Sequence, residues 1–549
     1  MKRTVFIFLI VVFTHKISLG ETHLSEINKL SSLCKVWGFL KYYHPNVAAG
    51  NYNWDQQLFT ILPKVKSASS REELSQIYLN WIDSLGEIKN SNNSQVNLTV
   101  KYFEKNFDLS WIDNNKVYTS KLAEQLKYIE LNRHQGEKYY VTSVDGIGNI
   151  QVINEIDYKD FDWKNKNLRL LNLFRYWNII EYFFPYKYQT DLSWDKVLDK
   201  MLPKFINPGT ELDFHMAMLE LIANINDSHG LFKTRQTRSF FGYYYLPTRF
   251  KLIDGKAIVT GFYNDSIGQL EGLKKGDVIT NVNGQPVQSI FKEREKFICG
   301  SNLSKKKFNA YDAIFNGPTD NVVLTYQRKE QTYTKSFKRY KFPEFNYKWQ
   351  PPIEKYKILD GNIGWVDIGM LEKDDVVPVM NELRSTRAII FDLRKYPNDV
   401  VFLVANYISS QRKSFYKKIY PDLNYPGKFV WKIGKECGKD GSLKYSGKVV
   451  LLVNEQTRSA GEFVTMGLQT GDNVTTIGSQ TSGADGNISR FKMVGGYKTM
   501  ISGIGIFYPD NTETQRKGVK IDIQVNPTIQ GIINGEDEIL DKAIEFINK

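Results

Sequence analysis

The residue of this chain best placed for chemistry is a serine at the start of a predicted helix. The apolar run at residues 449–453 predicts a buried strand; a short loop then leads to Ser459, where an apolar helix begins. The first N–H groups of a helix have no internal acceptor, so an oxyanion formed at Ser459 would meet donors there. A structural alternative fits the same residues, because Ser459 followed by Glu462 is the pattern of a helix capping box.

An internal repeat in the N-terminal half frames a second candidate. Trp37 and Trp54 recur as Trp177 and Trp194 at a constant offset of 140 residues. Around Trp37 and Trp177, aromatic and aliphatic residues lie three and four positions apart and a proline follows, which predicts a helix with one buried stripe in each copy. Each copy therefore predicts a small helical unit.

The second copy ends in a Ser-His pair that the first copy lacks. At the offset of 140, Ile88 and Lys89 stand opposite Ser228 and His229. A requirement of the scaffold should be met in both copies, so the difference favours a chemical role for this pair. A local turn is the structural alternative.

The first 20 residues predict a secretory signal peptide. A basic start at residues 1–3 precedes an apolar run at 4–13, and Gly20 is a small residue at the expected cleavage point. No other apolar segment is long enough to span a bilayer. We therefore expect an exported protein, periplasmic or extracellular, with no transmembrane anchor after signal cleavage.

Composition argues against several classes of function. The net charge is +13, but the lysines are dispersed along 549 residues without a basic arm, so nucleic-acid binding is not expected. The six histidines show no pair at metal-ligand spacing, and neither a metal nor another cofactor is expected. The three cysteines lie far apart, which favours buried thiols and leaves at most one disulfide.

Short strands follow the repeats, and then strands and helices alternate. Between residues 241 and 345, a Lys275-Gly276-Asp277 turn, an apolar strand and an Asn283-Gly284 hairpin turn resemble a PDZ domain. That resemblance implies binding of an extended peptide as an added strand, with a β-rich domain that binds no ligand as the alternative. From residue 346 onward, the strand-helix-strand order predicts several parallel strands. The fold expected is α/β multidomain, divided at 1–20, 21–165, 166–240, 241–345 and 346–549.

The order of these features resembles the tail-specific, or C-terminal processing, serine peptidases. The resemblance rests on the Ser-His pair, the PDZ-like insert, the 391–394 strand end (Phe-Asp-Leu-Arg), the 457–462 loop and a closing stretch at 518–525. It implies a core of the ClpP/crotonase type. In one branch of that family a lysine serves as base, but Ala484 occupies its place, and a methyl group cannot accept a proton. The tricorn-like branch, which uses a Ser-His pair, therefore fits this chain.

Roles for individual residues follow from that resemblance. It implies that Ser459 attacks the peptide carbonyl and that His229, whose imidazole exchanges a proton near neutral pH, accepts the hydroxyl proton. Ser228 would orient the imidazole by linking it to an acidic group. Glu513 is the candidate acid and Gln515 the alternative at the family position; for both, an exposed loop is the structural alternative.

The oxyanion hole is expected to use the N–H of Ala460 and a second donor from the loop after residue 394. Family members often carry a glycine pair there, whereas this chain has Pro397, which has no N–H. Tyr396 or Asn398 is left to supply the second donor.

Together these features predict an exported serine endopeptidase that binds peptides or protein C-termini, or other unstructured segments, and hydrolyses them. The alternative on the same fold is a catalytically weak or inactive protein that binds peptides or small apolar ligands. The lost lysine and the unusual loop at Pro397 favour that alternative.

Overall fold

The computed structural model describes residues 24–90, 100–263, 272–345, 354–441 and 444–549. The predicted signal peptide lies outside these ranges. Within them, helical, β-rich and mixed regions follow one another, which confirms the prediction of an α/β multidomain protein. Among the helices in these ranges, none has both the length and the apolar character needed to cross a membrane.

Two copies of a helical unit make up most of the N-terminal half, as the repeat predicts. In the first copy, the indole N–H of Trp37 donates to the carbonyl of Trp54 (3.1 Å), and Trp54 returns the bond (3.0 Å). Trp177 and Trp194 exchange the same two bonds in the second copy (3.0 and 2.9 Å). The repeat thus preserves a pair of buried indoles that satisfy each other's polar groups. The helices of this half are Glu26–Tyr43, Pro45–Ala48, Trp54–Ser67, Arg71–Ser84, Ser120–Leu131, Lys166–Phe183, Trp194–Ile206, Glu211–Ala223 and Arg235–Phe241.

The long helices of the two copies meet at equivalent positions, Gly38 and Asn178. The Asn178 amide donates to the carbonyls of Cys34 (3.0 Å) and Phe174 (2.9 Å), one on each helix. A Cβ on Gly38 would lie 1.7 Å from Asn178 Oδ1. Glycine at position 38 is therefore what lets the two helices approach each other.

The connector between the copies differs from the β-rich structure predicted for it, because it also holds the helix Ser120–Leu131. Leu122, Leu126 and Ile129 of this helix are fully buried, at helical spacing. Alternation of charged and aromatic residues around the helix masked that period in the sequence. The β part of the connector consists of short strands at Tyr102–Phe103, Val141–Ser143 and Ile150–Val152.

A β-rich domain follows, with a sheet flanked by short helices. The predicted hairpin turn is confirmed, since Asn283 and Gly284 both have positive φ (48° and 79°). Its strands are Tyr244–Tyr245, Thr248–Ile253, Lys256–Phe262, Val278–Val282, Gln285–Pro286, Asn321–Arg328, Gln331–Lys338 and Tyr340–Lys341. Its helices are Val287–Arg294, Leu303–Asn309 and Tyr311–Phe315.

The C-terminal α/β domain is organised around one six-stranded sheet. In spatial order its strands are Tyr356–Leu359, Ile363–Asp367, Ala388–Asp392, Lys448–Val453, Val474–Gly478 and Ile523–Gln524. The first strand is antiparallel to the second, and the remaining pairs are parallel. The helices Lys373–Glu382, Val401–Ile408 and Ala460–Leu468 pack on one face, and Glu538–Asn548 packs on the other. Loops from the carboxyl ends of the parallel strands therefore meet at one edge, where open α/β sheets place their sites.

Within the described residues, three smaller β structures and one short helix complete this domain. A second sheet contains Phe429–Ile433, Lys417–Pro421 and Gly505–Phe507 and also takes in the connector strand Tyr102–Phe103. The strands Ile488–Lys492 and Lys498–Ser502 form an antiparallel hairpin, which we call the C-terminal hairpin. The remaining strand pair is Lys413–Ser414 with Glu436–Cys437, and the remaining helix is Ile529–Asn534.

Candidate active site

Ser459 lies beyond the carboxyl end of the strand Lys448–Val453, immediately before the helix Ala460–Leu468. Its backbone has φ 49° and ψ −116°, a conformation that residues other than glycine rarely adopt. Such strain persists when the surroundings hold it in place, and here the Thr457 hydroxyl donates to the carbonyl of Leu393 (2.8 Å). The sharp turn leaves Ser459 half-buried at the wall of a cavity.

The capping role of Glu462 coexists with this strained turn. Its buried carboxylate accepts hydrogen bonds from the N–H groups of Ser459 (3.2 Å), Gly483 (2.7 Å) and Ala484 (3.0 Å), and from the Thr481 hydroxyl (2.5 Å). Burial raises the pKa of Glu462, and these hydrogen bonds oppose the rise. A helix cap needs one such bond. The others fasten the loop at 481–484 beside Ser459.

His229 lines the same cavity, from the loop after the helix Glu211–Ala223. Its Nδ1 lies 2.8 Å from the hydroxyl oxygen of Ser502, and Ser502 donates its hydroxyl hydrogen to Asp227 (3.0 Å). Because that hydrogen is used, Nδ1 carries the ring hydrogen and donates it to Ser502. Nε2 then keeps a free lone pair, as a general base requires.

Asp227 is the acidic group of this arrangement. One oxygen accepts the N–H of His229 (3.1 Å) and the other the N–H of Ser502 (2.6 Å). The distance from Asp227 Oδ1 to His229 Nδ1 is 3.6 Å, too long for a hydrogen bond, so Ser502 bridges the two side chains. Burial raises the pKa of Asp227, but the interactions with His229 and the backbone N–H groups outweigh burial and leave the pKa below its usual value. The carboxylate is therefore available to stabilise a positive imidazolium.

Ser228 has different partners from those the sequence predicts. Its hydroxyl donates to the carbonyl of Ser482 (3.1 Å), accepts the N–H of Ser301 (2.9 Å) and lies 3.0 Å from the hydroxyl oxygen of Ser301. These bonds fasten the loop that carries His229 to the β-rich domain and to the 481–484 loop. The link from the imidazole to an acid is made by Ser502 instead.

Neither candidate acid near the C-terminus contacts His229 in the described part of the protein. Glu513 accepts from Lys105 (3.0 Å) and the Tyr188 hydroxyl (3.0 Å) and lies 3.4 Å from Lys517, so its charge is balanced by groups other than His229. Gln515 is buried, and its amide lies 3.5 Å from the hydroxyl of Ser301. Gln515 thus reaches the His229 loop indirectly, through the contact between Ser301 and Ser228.

The predicted oxyanion donors lie on two neighbouring loops. Ala460 is the first residue of its helix, so its N–H has no intrahelical acceptor. Both Ala460 and Tyr396 line the cavity. The side-chain amide of Asn398 donates to Leu371 (3.2 Å) and Glu372 (3.0 Å), which favours Tyr396 over the Asn398 side chain as the second donor.

The cavity that unites these groups has a volume of about 630 Å³. Its wall combines apolar and polar residues from the helix after Ser459, the C-terminal hairpin and the second sheet. Gly146 and Ile147 complete the wall from the connector, where the Asn149 amide donates to the carbonyl of Ile488 (3.0 Å). The N-terminal half therefore contributes directly to the cleft.

Comparison with known families decides the class of protein. Residues 362–525 match the model of peptidase family S41, and this segment contains Ser459, Ser502 and the oxyanion loops. The chain is a serine-type peptidase, and this segment of it is similar to family S41. The predicted resemblance to tail-specific, or C-terminal processing, peptidases is thereby confirmed, and its substrates are peptides or proteins.

Two solved structures of CPAF support the fold of this peptidase beyond the matched segment. Mature CPAF has a TM-score of 0.55 at 14% identity, covering 70% of this chain and 98% of CPAF. CPAF complexed with lactacystin gives 0.54 at 13% identity, with the same coverage. A putative peptidase from Parabacteroides merdae gives 0.44 at 13% identity, covering 69% of this chain and 96% of its own. No curated protein sequence matches the chain.

Sequence reasoning missed Asp227 and Ser502. Asp227 carried a usable signal, because it lies two residues before His229 and can bond the backbone of the same loop. Ser502 carried none, since it is separated from Asp227 by 275 positions and lies at the end of an ordinary strand.

Proposed function

We propose that the protein is a serine endopeptidase in which His229 activates Ser459, and in which Asp227, acting through Ser502, orients the imidazole. The observation that carries the proposal is the convergence of Ser459 and His229 on one cavity from distant parts of the sequence. The strained backbone of Ser459 and the free Nε2 of His229 support it.

In this mechanism the Ser459 hydroxyl attacks a peptide carbonyl while Nε2 of His229 takes its proton. The carbonyl oxygen becomes an oxyanion that accepts hydrogen bonds from the N–H groups of Ala460 and Tyr396. His229 then returns the proton to the leaving amine, which leaves an acyl group on Ser459. Water hydrolyses that ester by the same route, and Asp227 stabilises the imidazolium formed in each half of the reaction.

We further propose that the β-rich domain holds the substrate as a PDZ domain does, by adding it as a strand to a sheet edge. Its contacts with the site support this assignment. The Asn302 amide donates to the carbonyls of Thr481 (2.8 Å) and Arg516 (3.1 Å), and Ser301 bonds Ser228. A peptide held there would lie beside the cleft. The signal peptide predicted from the sequence at residues 1–20 supports action outside the cytoplasm on unfolded segments or protein ends.

Hydrolysis of an unstructured protein such as casein tests the proposal. Ser459→Ala and His229→Ala should each reduce the rate by about 10³-fold or more, since nucleophile and base act as one unit. The matched control is Ser446→Ala, an exposed serine outside the cavity, which should keep full activity. Retained cleavage in Ser459→Ala, with contaminating peptidase excluded, would contradict the proposal.

The alternative of an inactive binding protein makes a different prediction in the same experiment. Under this alternative the cavity and the β-rich domain bind peptides, but the wild-type protein hydrolyses none of them. Wild type and Ser459→Ala should then bind peptides with equal affinity. The presence of Gln515 at the family position of the acid favours this alternative. The buried Asp227 beside His229 favours catalysis.

A further inference from the structure

Three cationic side chains line the cavity around Ser459: Lys418, Arg458 and Arg490. Lys418 donates to the carbonyl of Ile147 (2.6 Å), and the Arg458 guanidinium lies 5.9 Å from the ring of Tyr396. Within the described ranges, none of the three forms an ion pair with a carboxylate. The cavity therefore carries positive charge that the protein itself does not neutralise.

One of these cations directly faces another lysine. Lys418 and Lys432 are paired across neighbouring antiparallel strands of the second sheet. Like charges opposite each other in a ladder destabilise the pair. Burial lowers the pKa of Lys418, and Lys432 lowers it further. An anion bound at this wall would relieve the repulsion.

The carboxyl group in the cavity wall does not balance these charges. Among the lining residues that the structure describes, Asp485 is the sole acid. Its side chain is buried; Oδ1 accepts the N–H of Gly486 (2.7 Å), and Oδ2 has no hydrogen-bond partner in the described part of the protein. Burial raises the pKa of Asp485 well above its usual value, and nearby Glu462 adds to the rise, which favours the uncharged form of this carboxyl group.

Apolar side chains lie in the same wall. Phe463, Ile488, Met500 and Ile504 lie among the cations, and Arg490 is paired with Met500 across the C-terminal hairpin. A bound peptide thus meets apolar surface and positive charge on the same hairpin. Arg458 precedes Ser459 directly in the sequence, which places one cation within about one or two substrate residues of the cleaved bond.

We propose that this cleft selects peptides in which an acidic side chain lies next to an apolar residue at the cleavage site. The inference rests on the proposed function, because it places the acidic residue relative to Ser459. The recognised group is a carboxylate, and the free C-terminus of a peptide offers the same chemistry. The structure favours a side chain, since the three cations come from three separate elements of the cavity lining: the second sheet, the C-terminal hairpin and the loop before Ser459.

Binding to the full-length Ser459→Ala protein tests the proposal without depending on turnover. Four fluorescent peptides share one apolar core: amidated versions with Glu, Gln or Lys beside it, and the Gln version with a free C-terminal carboxylate. In low salt the amidated Glu peptide should bind about tenfold tighter than the amidated Gln peptide, because two or three part-exposed charge pairs contribute. The preference should shrink as salt is added. Equal binding of Glu and Gln peptides would overturn it, as would a preference confined to the free carboxylate.

Variants then locate the preference. Arg490→Gln and Arg458→Gln, each in the Ser459→Ala background, should cut the Glu-to-Gln affinity ratio at least threefold. Lys498→Gln removes the same charge from an exposed position on the same hairpin outside the cavity and should leave the ratio unchanged. An equal fall in the Glu-to-Gln affinity ratio in all three variants would indicate a general electrostatic attraction by the protein surface. It would contradict a specific acidic-residue site in the cleft.

Failure of this inference is distinguishable from failure of the proposed function. A wild-type protein that cleaves Glu, Gln and Lys peptides at equal rates would refute the acidic preference and leave the peptidase intact. A protein that binds the Glu peptide preferentially but cleaves none of the peptides would refute catalysis and keep the preference.

Discussion

Two carboxylates, Asp227 and Glu513, are candidates for the same task beside His229. Asp227 is buried and reaches the imidazole through Ser502, whereas Glu513 is engaged by Lys105 and Tyr188. A carboxylate that stabilises an imidazolium must share its surroundings and must not already be neutralised by a lysine. The geometry therefore assigns the role to Asp227.

Exchange of each acid for its amide separates the two candidates. We expect Asp227→Asn to lower kcat by about 10³-fold or more, because an amide neither stabilises the imidazolium nor fixes the tautomer. Glu513→Gln should change kcat less than about threefold, because Glu513 pairs with the exposed Lys105 and Lys517 and not with His229. Steady-state kinetics on one peptide, with circular dichroism to verify folding, gives the comparison. A larger loss in Glu513→Gln would reverse the assignment.

Asp485 should make stability depend on pH. Its folded pKa lies well above its ordinary value of 3.8, so between those values the folded state keeps a proton that the unfolded state has lost. The free energy of unfolding then falls as pH rises, by about 1.4 kcal/mol per pH unit from this group. Asp485→Asn removes the effect, and its Tm relative to wild type should therefore be higher at pH 7 than at pH 4.5. An equal difference at both pH values would contradict the buried neutral acid.

The sequence was informative about residues whose signal is local. Ser459 follows a recognisable strand and precedes a helix, and His229 stands in a pair that only one repeat contains. Ser502 could not be found, because its role depends on a contact with a loop far away in the sequence. The family resemblance points to Glu513 through its position near the C-terminus. Position along the sequence does not determine which side chains meet in the folded protein.

At the scale of elements, the contact between the two repeat helices depends on Gly38. A Cβ at this position would lie 1.7 Å from Asn178 Oδ1, so in Gly38→Ala either the Asn178 amide is displaced from its two carbonyl acceptors or the helices move apart. We expect a loss of about 3 kcal/mol in the free energy of unfolding, measured as a lower Tm by calorimetry. Alanine usually stabilises a helix relative to glycine, so the sign itself is a test.

The repeat supplies a matched control for that substitution. The double variant Gly38→Asn with Asn178→Gly exchanges equivalent positions, and Cys34 and Phe174, whose carbonyls accept from Asn178, are equivalent to each other at the same offset. The exchanged asparagine can therefore make the same two bonds. Stability within about 1.5 kcal/mol of wild type is expected. A double variant no more stable than Gly38→Ala would show that the repeats are not interchangeable there.

Helices and strands were predictable where the apolar residues follow one clear pattern. The strands at 388–392 and 448–453 are continuous apolar runs, the repeat helices have apolar residues three and four positions apart, and the structure contains these elements. The helix Ser120–Leu131 was missed, because its buried stripe is narrow and lies within charged and aromatic residues that alternate.

At the scale of the whole molecule, the N-terminal half forms part of the cleft. Gly146 and Ile147 line the cavity, and Asn149 anchors their hairpin by donating to Ile488 (3.0 Å) and to the hydroxyl of Ser489 (3.4 Å). The sequence could not show this contact, since nothing in residues 97–163 indicates which surface they cover.

Loss of that anchor should affect binding more than chemistry. We expect Asn149→Ala to raise KM about fivefold with a smaller change in kcat, because the wall moves while Ser459 and His229 stay in place. Gln151→Ala, an exposed position on the same hairpin, is the control and should keep wild-type kinetics. A fall in kcat with unchanged KM would show that the connector acts on the catalytic groups instead.

The central claim is that His229 activates Ser459 in the folded protein. Its most direct measurement is the rate of reaction with a fluorophosphonate, followed by mapping of the modified residue by mass spectrometry. The account predicts one adduct, on Ser459, that forms at least about 10²-fold more slowly in His229→Ala. An adduct on another residue, or the same rate with and without His229, would contradict it.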